Sequence, residues 1–218
     1  MRILLLAVFV ALAGALVTTP AAGSPTRVGT FQYVVEPDPR ACPSPRCGGY
    51  WVSFVNHAQT ACHDGVLRAR CYAAVAEDQR GRELATGVPP GAIVRADLTG
   101  RRFGPFGNLG VLVVADLRGP HGEEPSPLVY RVRDLGIQCV RAPCFSLRAR
   151  QLNTPLRVSL SGLDLRPARL SADEQARAAA ALITTTGLFA SGRIERTSDG
   201  GRVLLVLRVY LRVALPRG

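Results

Sequence analysis

Two cysteine-bounded turns constrain this chain more than any other feature. FQYVVEPDPRACPSPRCGGYWVSFVN, residues 31–56, lies without a gap on LVYRVRDLGIQCVRAPCFSLRARQLN, residues 128–153. At that offset of 97 residues Tyr33 meets Tyr130, Val35 meets Val132, both cysteines match, and Asn56 meets Asn153. Each copy reads strand, turn, strand. Self-similarity at a fixed distance predicts an internal duplication, over about 31–118 and 128–213. Coincidence is the competing reading, since any two strand–turn–strand units share apolar alternation. A fainter echo closes the chain: RVLLVLRVYLRV, residues 202–213, repeats the Val-Tyr step. GVLVVADLRGPHG and GLFASGRIERTSDG precede the later strands in similar positions, which predicts hairpins of 110–118 with 128–134 and of 187–196 with 202–213.

The cysteines are Cys42, Cys47, Cys62, Cys71, Cys139 and Cys144, spaced C-x4-C, C-x8-C and C-x4-C. An even count behind a leader predicts disulfides, and six cysteines allow about fifteen complete pairings. Closing C-x4-C brings two Cα atoms within ~7 Å, which needs a turn. Pro43 and Pro45 supply it in the first unit and Pro143 in the second. The turn chemistry favours local pairing, each loop contributing ~2–3 kcal/mol. Pairing between the two C-x4-C units would close a far longer loop for ~4–5 kcal/mol, so energy alone leaves it open. A zinc site from Cys42, Cys47, Cys62 and Cys71, beside His57 and His63, fits poorly because C-x8-C exceeds the usual ligand spacing. No C-x-x-C redox pair is present. Cys62 and Cys71 face Ser159 and Ala168 in the second half, so this pair is private to the first.

MRILLLAVFVALAGALVTTPAAG opens the chain: one Arg, an uncharged apolar run, then small residues. This predicts a signal peptide over 1–23 and a single exported β-rich domain over 24–218, secreted or periplasmic. An uncleaved anchor is the plainer alternative, but the run is short for a membrane span, and no later segment reaches spanning length without an Arg. All 27 basic residues are Arg and none is Lys, at a net charge of +11. Such a basic protein attracts anionic surfaces. Arg without Lys beside abundant Ala, Gly and Pro also reads as a codon habit, and the aromatics are too few for stacking platforms, so no nucleic acid is expected as partner.

Period-2 alternation marks strands at 50–56, 71–76, 111–117, 128–133, 145–150, 157–165 (with Gly162 a bulge) and 203–213. In the last, the odd positions from Val203 to Val213 are expected inward, opposite Arg208, Tyr210 and Arg212. Ser171-Ala-Asp-Glu174 is a capping box opening one helix over 171–186, with Ala176, Ala179, Ala180 and Ile183 on its packed face and Gly187 closing it. Stretches 78–108 and 118–127 read as Gly/Pro/Arg-rich loops. The fold class is mainly β, with α+β as the alternative: an antiparallel sheet or barrel-like domain from two related halves and one packed helix.

No nucleophile, base and orienter set appears. G-x-S-x-G, H-E-x-x-H, P-loop and dinucleotide fingerprints are absent. His63-Asp64 follows Cys62, and a Cys–His pair there would require a free thiol. Glu77-Asp78 and Glu123-Glu124 are adjacent carboxylates, which point apart on a strand. Catalytic residues, metal and cofactors are therefore expected to be none. Two binding features remain. Arg131, Arg133, Arg148, Arg150, Arg208 and Arg212 line predicted strands and form a candidate basic face for carboxylates, phosphates or acidic glycans, against the plainer reading of a solvated face written in Arg. Arg46 and Arg141 sit in the two constrained loops, where a rigid Arg could enter a trypsin-like protease, against the plainer reading of stapled hairpins.

CGGYWVSFVN, CHDG…CYAA and IQCVRAPCFSLRARQLN resemble a family of secreted bacterial proteins defined only as a domain of unknown function, over about residues 30–213. The spaced cysteines, Gly48-Gly49, Asn56 and Asn153 carry the resemblance. Phe145 departs from it, standing where a Pro is expected after the cysteine. The resemblance implies export and disulfides and supplies no activity. The expectation is a non-enzymatic binding or envelope-associated module. The alternatives are a secreted peptidase inhibitor and an enzyme with an unfamiliar site.

Overall fold

The computed structural model describes residues 31–123 and 126–215. The expected signal peptide, and Glu124 of the Glu123-Glu124 pair, lie outside the described residues. The strands are β1 (Phe31–Pro37), β2 (Tyr50–Phe54), the small ribbon β3 (Thr60–Ala61) and β4 (Leu67–Arg68), β5 (Cys71–Asp78), β6 (Ala92–Arg102) and β7 (Asn108–Gly122). The second half holds β8 (Val129–Asp134), β9 (Leu147–Gln151), β10 (Arg157–Leu160), β11 (Gly162–Asp164), α1 (Ala172–Leu182), β12 (Leu188–Arg196) and β13 (Arg202–Val213). The chain is mainly β with one α-helix among the described residues, as the alternation requires.

The pairings close two rings. β1 pairs β2 and β6, β2 pairs β5, β5 runs parallel to β7, and β7 returns to β6. In the second half β8 pairs β9 and β12, β9 pairs β10, β11 continues β10 and runs parallel to β13, and β13 returns to β12. Each half is thus a closed five-stranded Greek-key barrel of the OB type, with its third and fifth strands parallel. Closure removes sheet edges that would otherwise recruit other chains. Alternate side chains fill the interiors: Val35, Val52, Val94, Leu112 and Val114 in one, and Val132, Leu160, Leu188, Leu204 and Val206 in the other.

The barrels meet along their fifth strands. Residues 117–122 of β7 pair antiparallel with 208–213 of β13, with Gly119 opposite Leu211. Two asparagines clasp the same seam reciprocally. Asn56 Nδ2 donates to Val129 O (2.8 Å) and Leu152 O (2.9 Å), and its Oδ1 accepts from Val129 N (2.8 Å). Asn153 Nδ2 donates to Gln32 O (2.7 Å) and Val55 O (3.1 Å), and its Oδ1 accepts from Gln32 N (3.0 Å). Gln32 and Val129 are matched positions of the aligned stretches, as are Val55 and Leu152, so each barrel grips the other with the same atoms. Both asparagines sit at positive φ, 63° and 57°, a region where Asn is among the few tolerated side chains. Val55, Ile93, Val129, Leu152, Phe189 and Tyr210 pack between the barrels.

Four expectations about strands and loops need correction. The stretch 78–108 contains β6, whose Arg and Gly residues hide its alternation. The stretch 118–127 is strand as far as Gly122, because β7 continues past its own barrel to reach β13. Segment 110–118 therefore pairs with β5, β6 and, at Leu117 and Arg118, β13, and not with 128–134, whereas the hairpin of 187–196 with 202–213 is present as β12 and β13. In β13 the phase inverts midway: Leu204 and Val206 are buried, then Val209 and Leu211. A bulge opposite Ser191 and Gly192 leaves Leu207 unpaired and moves later side chains to the other face. β7 carries a bulge at the matching place, with Ala115 unpaired opposite Arg95 and Ala96.

The Ser171 capping box forms as expected, Ser171 N donating to Glu174 Oε2 at 2.8 Å. The helix ends at Leu182, and the threonines after it form a turn leading to Gly187 at φ 71°. Its packed side is Ala178, Ala181 and Leu182, and the expected face of Ala176, Ala179, Ala180 and Ile183 is exposed instead. Glu174 fixes that rotation by also bonding His121 Nδ1 at 2.7 Å.

Candidate anion-binding face

β8, β9 and β10 form the first three strands of the second barrel, and five of their outward side chains are arginines. Register places Arg131 opposite Arg150, Arg150 opposite Arg157, and Arg133 opposite Arg148. Residues two apart on a strand share a face, and neighbouring strands lie ~4.8 Å apart, so five guanidinium groups fall in two short rows. Val132 and Ala149, between them in sequence, point into the barrel and are fully buried. The five arginines and Leu135 line a cavity of about 210 Å³.

These arginines differ from others in the molecule. Arg40, Arg68, Arg82, Arg118 and Arg166 each pair with a carboxylate within 3.0 Å. Among the described residues, no ion pair reaches Arg131, Arg133, Arg148, Arg150 or Arg157. Arg150 Nε donates weakly to Thr154 O at 3.4 Å, and Arg133 Nε is buried with no acceptor. Burial holds the Arg131 guanidinium below its ordinary pKa, with repulsion from Arg150, Arg133 and Arg157 acting the same way. Like charges directly opposite on a sheet are destabilising. Chemically, the arrangement offers several forked donors to an anion and, among the described residues, no competing carboxylate.

The remaining predicted arginines lie elsewhere. Arg208 and Arg212 sit on β13 at the seam, where Arg208 Nε donates to Glu123 O (2.6 Å) and Arg212 Nε pairs with Asp116 (3.0 Å). They do not join the other four, because the β13 pairings carry them around the barrel. Arg157 does join them, although sequence alternation does not single it out. It sits in LNTPLRVSL, and only the β9–β10 register reveals that it faces Arg150.

The matching face of the first barrel is closed by its own loop. There Glu36, Trp51 and Tyr72 stand opposite one another on β1, β2 and β5. The Arg40 guanidinium lies 5.0 Å from the Trp51 ring and 5.2 Å from Tyr72. The fully buried Asp38 carboxylate anchors Arg40, accepting from Nε (2.9 Å) and Nη2 (2.9 Å), and accepts from Trp51 Nε1 (3.2 Å). Those donors, Arg40 foremost, hold the Asp38 carboxyl below the usual carboxylate range. Arg40 Nη2 also donates to Arg46 O (2.9 Å) and Tyr72 OH to Pro45 O (2.8 Å), pinning the CPSPRC loop to the sheet. Arg46 itself lies over the Phe106 ring. The CVRAPC loop lacks such ties: Val140 is fully exposed, and Arg141 is exposed without an ion pair among the described residues.

All six cysteines are joined locally, as Cys42–Cys47, Cys62–Cys71 and Cys139–Cys144. Cys62 is thus no nucleophile, and the four thiols of the zinc reading are consumed. His57 stacks on Phe54 at 4.6 Å, and His63 lies against Gly100 with its Nδ1 buried and unpartnered. Asp64 pairs with Arg68, Glu77 with Arg101 and Asp78 with Arg82. Among the described residues no group of three or more His, Cys, Asp or Glu side chains could hold a metal ion, and no helix is long and apolar enough to cross a membrane.

No curated protein and no solved structure matches the chain. A family model does match, over residues 31–215, which takes in both barrels, both asparagines and all six cysteines. The chain therefore belongs to the family described as a domain of unknown function, DUF6748.

Proposed function

We propose that this protein is an exported, non-enzymatic binding module that holds an anionic ligand on the β8–β9–β10 face. The carrying observation is five arginines in register around one cavity, without a carboxylate among the described residues. An ordinary solvated face interleaves both signs, and the paired arginines elsewhere in the chain do so. Repulsion within the cluster costs stability, and an anion offsets that cost when bound. Barrel connectivity assigns no ligand, so the reading rests on the site alone. Three disulfides accord with an oxidising compartment, and hence with a secreted or periplasmic location near envelope polymers. The two halves are read as copies of one unit: the first sealed its sheet face with Arg40 and Trp51, and the second kept it open.

Titration calorimetry with inorganic tripolyphosphate at fixed ionic strength tests this. The wild type and the Arg208→Gln/Arg212→Gln variant bind alike, while Arg133→Gln/Arg148→Gln binds at least tenfold more weakly. Equal loss in both variants would reduce the interaction to net charge and end the proposal. One observation favours a second reading, peptidase inhibition: Val140 and Arg141 stand free at the tip of a disulfide-closed loop, unlike the pinned Arg46. It requires Arg141→Ala, and not Arg46→Ala, to abolish inhibition of a trypsin-like enzyme. An intact protein that inhibits no such enzyme removes it.

A further inference from the structure

We infer that the ligand of this face is a sugar chain carrying anionic groups, lying in one groove that runs from the arginine cluster to Phe31 on the first barrel. This deepens the anion-site reading and rests on it. The cavity of about 210 Å³ at the cluster shares Arg131 and Arg150 with a second cavity of about 440 Å³. An anion held by that shared pair sits at the boundary between them.

The second cavity has different chemistry. Phe31 is 45% exposed at its rim, its ring braced edge-on by Phe54 at 5.2 Å. Beside it the Gln32 carboxamide makes no hydrogen bond among the described residues, although its backbone N–H and C=O are both taken by Asn153. Phe189 also lines the cavity, but it is buried and its ring is covered by Arg118 at 4.0 Å. The groove therefore offers dense positive charge at one end, and at the other one free aromatic face with an amide next to it.

A ligand that uses both ends needs anionic groups, a flat apolar face and hydroxyls within a few ångströms of each other. A pyranose chain with sulfate, phosphate or carboxylate substituents has all three: its C–H face packs on Phe31, its hydroxyls reach Gln32, and its acid groups meet the guanidinium forks. Inorganic polyanions leave the second cavity unused. Single-stranded nucleic acid stacks successive bases on successive rings, and this groove has one free ring.

Three probes at one ionic strength test the inference: a heparin-derived sulfated tetrasaccharide, inorganic tripolyphosphate and a thymidine hexanucleotide. The expected result is tightest binding of the tetrasaccharide. Phe31→Ala then weakens it about tenfold while leaving tripolyphosphate within about twofold, the ring contact being all that is lost. Arg133→Gln/Arg148→Gln weakens both. Circular dichroism checks that the Phe31 variant stays folded. Tripolyphosphate binding that depends on the arginines, with a tetrasaccharide no tighter and indifferent to Phe31, overturns this inference and leaves the anion site standing. A hexanucleotide that binds tightest and depends on Phe31 overturns the ligand class. Failure of every probe, or arginine variants without effect, ends both readings.

Discussion

Replacing Asn153 by Ala removes the hydrogen bonds to Gln32 N, Gln32 O and Val55 O at one stroke. Each such bond contributes ~1 kcal/mol net, and a partly buried donor left without a partner costs more than that. The residue also sits at φ 57°, where Ala is less favourable than Asn by about 1 kcal/mol. The sum is a loss of about 3–5 kcal/mol. Asn153→Gly removes the same bonds without the backbone penalty and should cost about 2–3 kcal/mol. For a chain of this size 1 kcal/mol moves Tm by ~2–4 °C, so Asn153→Ala melts about 6–20 °C lower. Urea titration followed by Trp51 fluorescence and by circular dichroism measures both. Because Asn56 makes the reciprocal three bonds, Asn56→Ala should lose a similar amount. A loss below about 1 kcal/mol in Asn153→Ala, or a Gly variant no better than the Ala variant, would refute the clasp as the element that joins the barrels.

Three further outcomes follow from the same contacts. Arg133→Gln relieves repulsion in the cluster and should raise stability by about 0.5 kcal/mol at low salt, with the gain shrinking as salt screens it; a destabilised variant contradicts a strained cluster. Asp38, Asp78 and Asp164 all have depressed carboxyl pKa values, the last two at about 2, held first by Arg40, Arg82 and Arg166 respectively. Their stabilisation is complete above the unfolded carboxylate range near pH ~4 and is lost as pH falls below it, toward about 2 for Asp78 and Asp164. Acid melting curves should steepen in that window, and less so in Asp38→Asn. Gly49→Ala places a Cβ 2.2 Å from Ala73 O, a backbone atom that cannot swing aside, and should cost about 1–3 kcal/mol in urea titration; a neutral substitution would mean that β2 and β5 pack less closely.

Local signals exposed much of the architecture in the sequence. The repeated C-x4-C turns, the Ser171 capping box and the alternation of 128–133 and 145–150 each form by short-range chemistry, and each stands where it was expected. β6 was hidden because most of its second half is exposed and polar, being paired through the backbone. The phase change in β13 depends on a bulge set by its partner strand, which no single-strand pattern contains. The site divides in the same way. Arg131, Arg133, Arg148 and Arg150 shared a face by two-residue spacing alone. Arg157 joined them, and Arg208 and Arg212 left them, through strand pairings between distant residues. Asn56 and Asn153 were marked by their match at a fixed distance, but their role appears only where the barrels touch.

The most direct test of the anion-site account is a titration of the arginine Nε–H resonances with inorganic tripolyphosphate. The account predicts saturable shifts confined to Arg131, Arg133, Arg148, Arg150 and Arg157, with Arg208 and Arg212 unmoved. Shifts spread over exposed arginines in proportion to their accessibility would contradict it, since the anion would then be reading net charge and not a site.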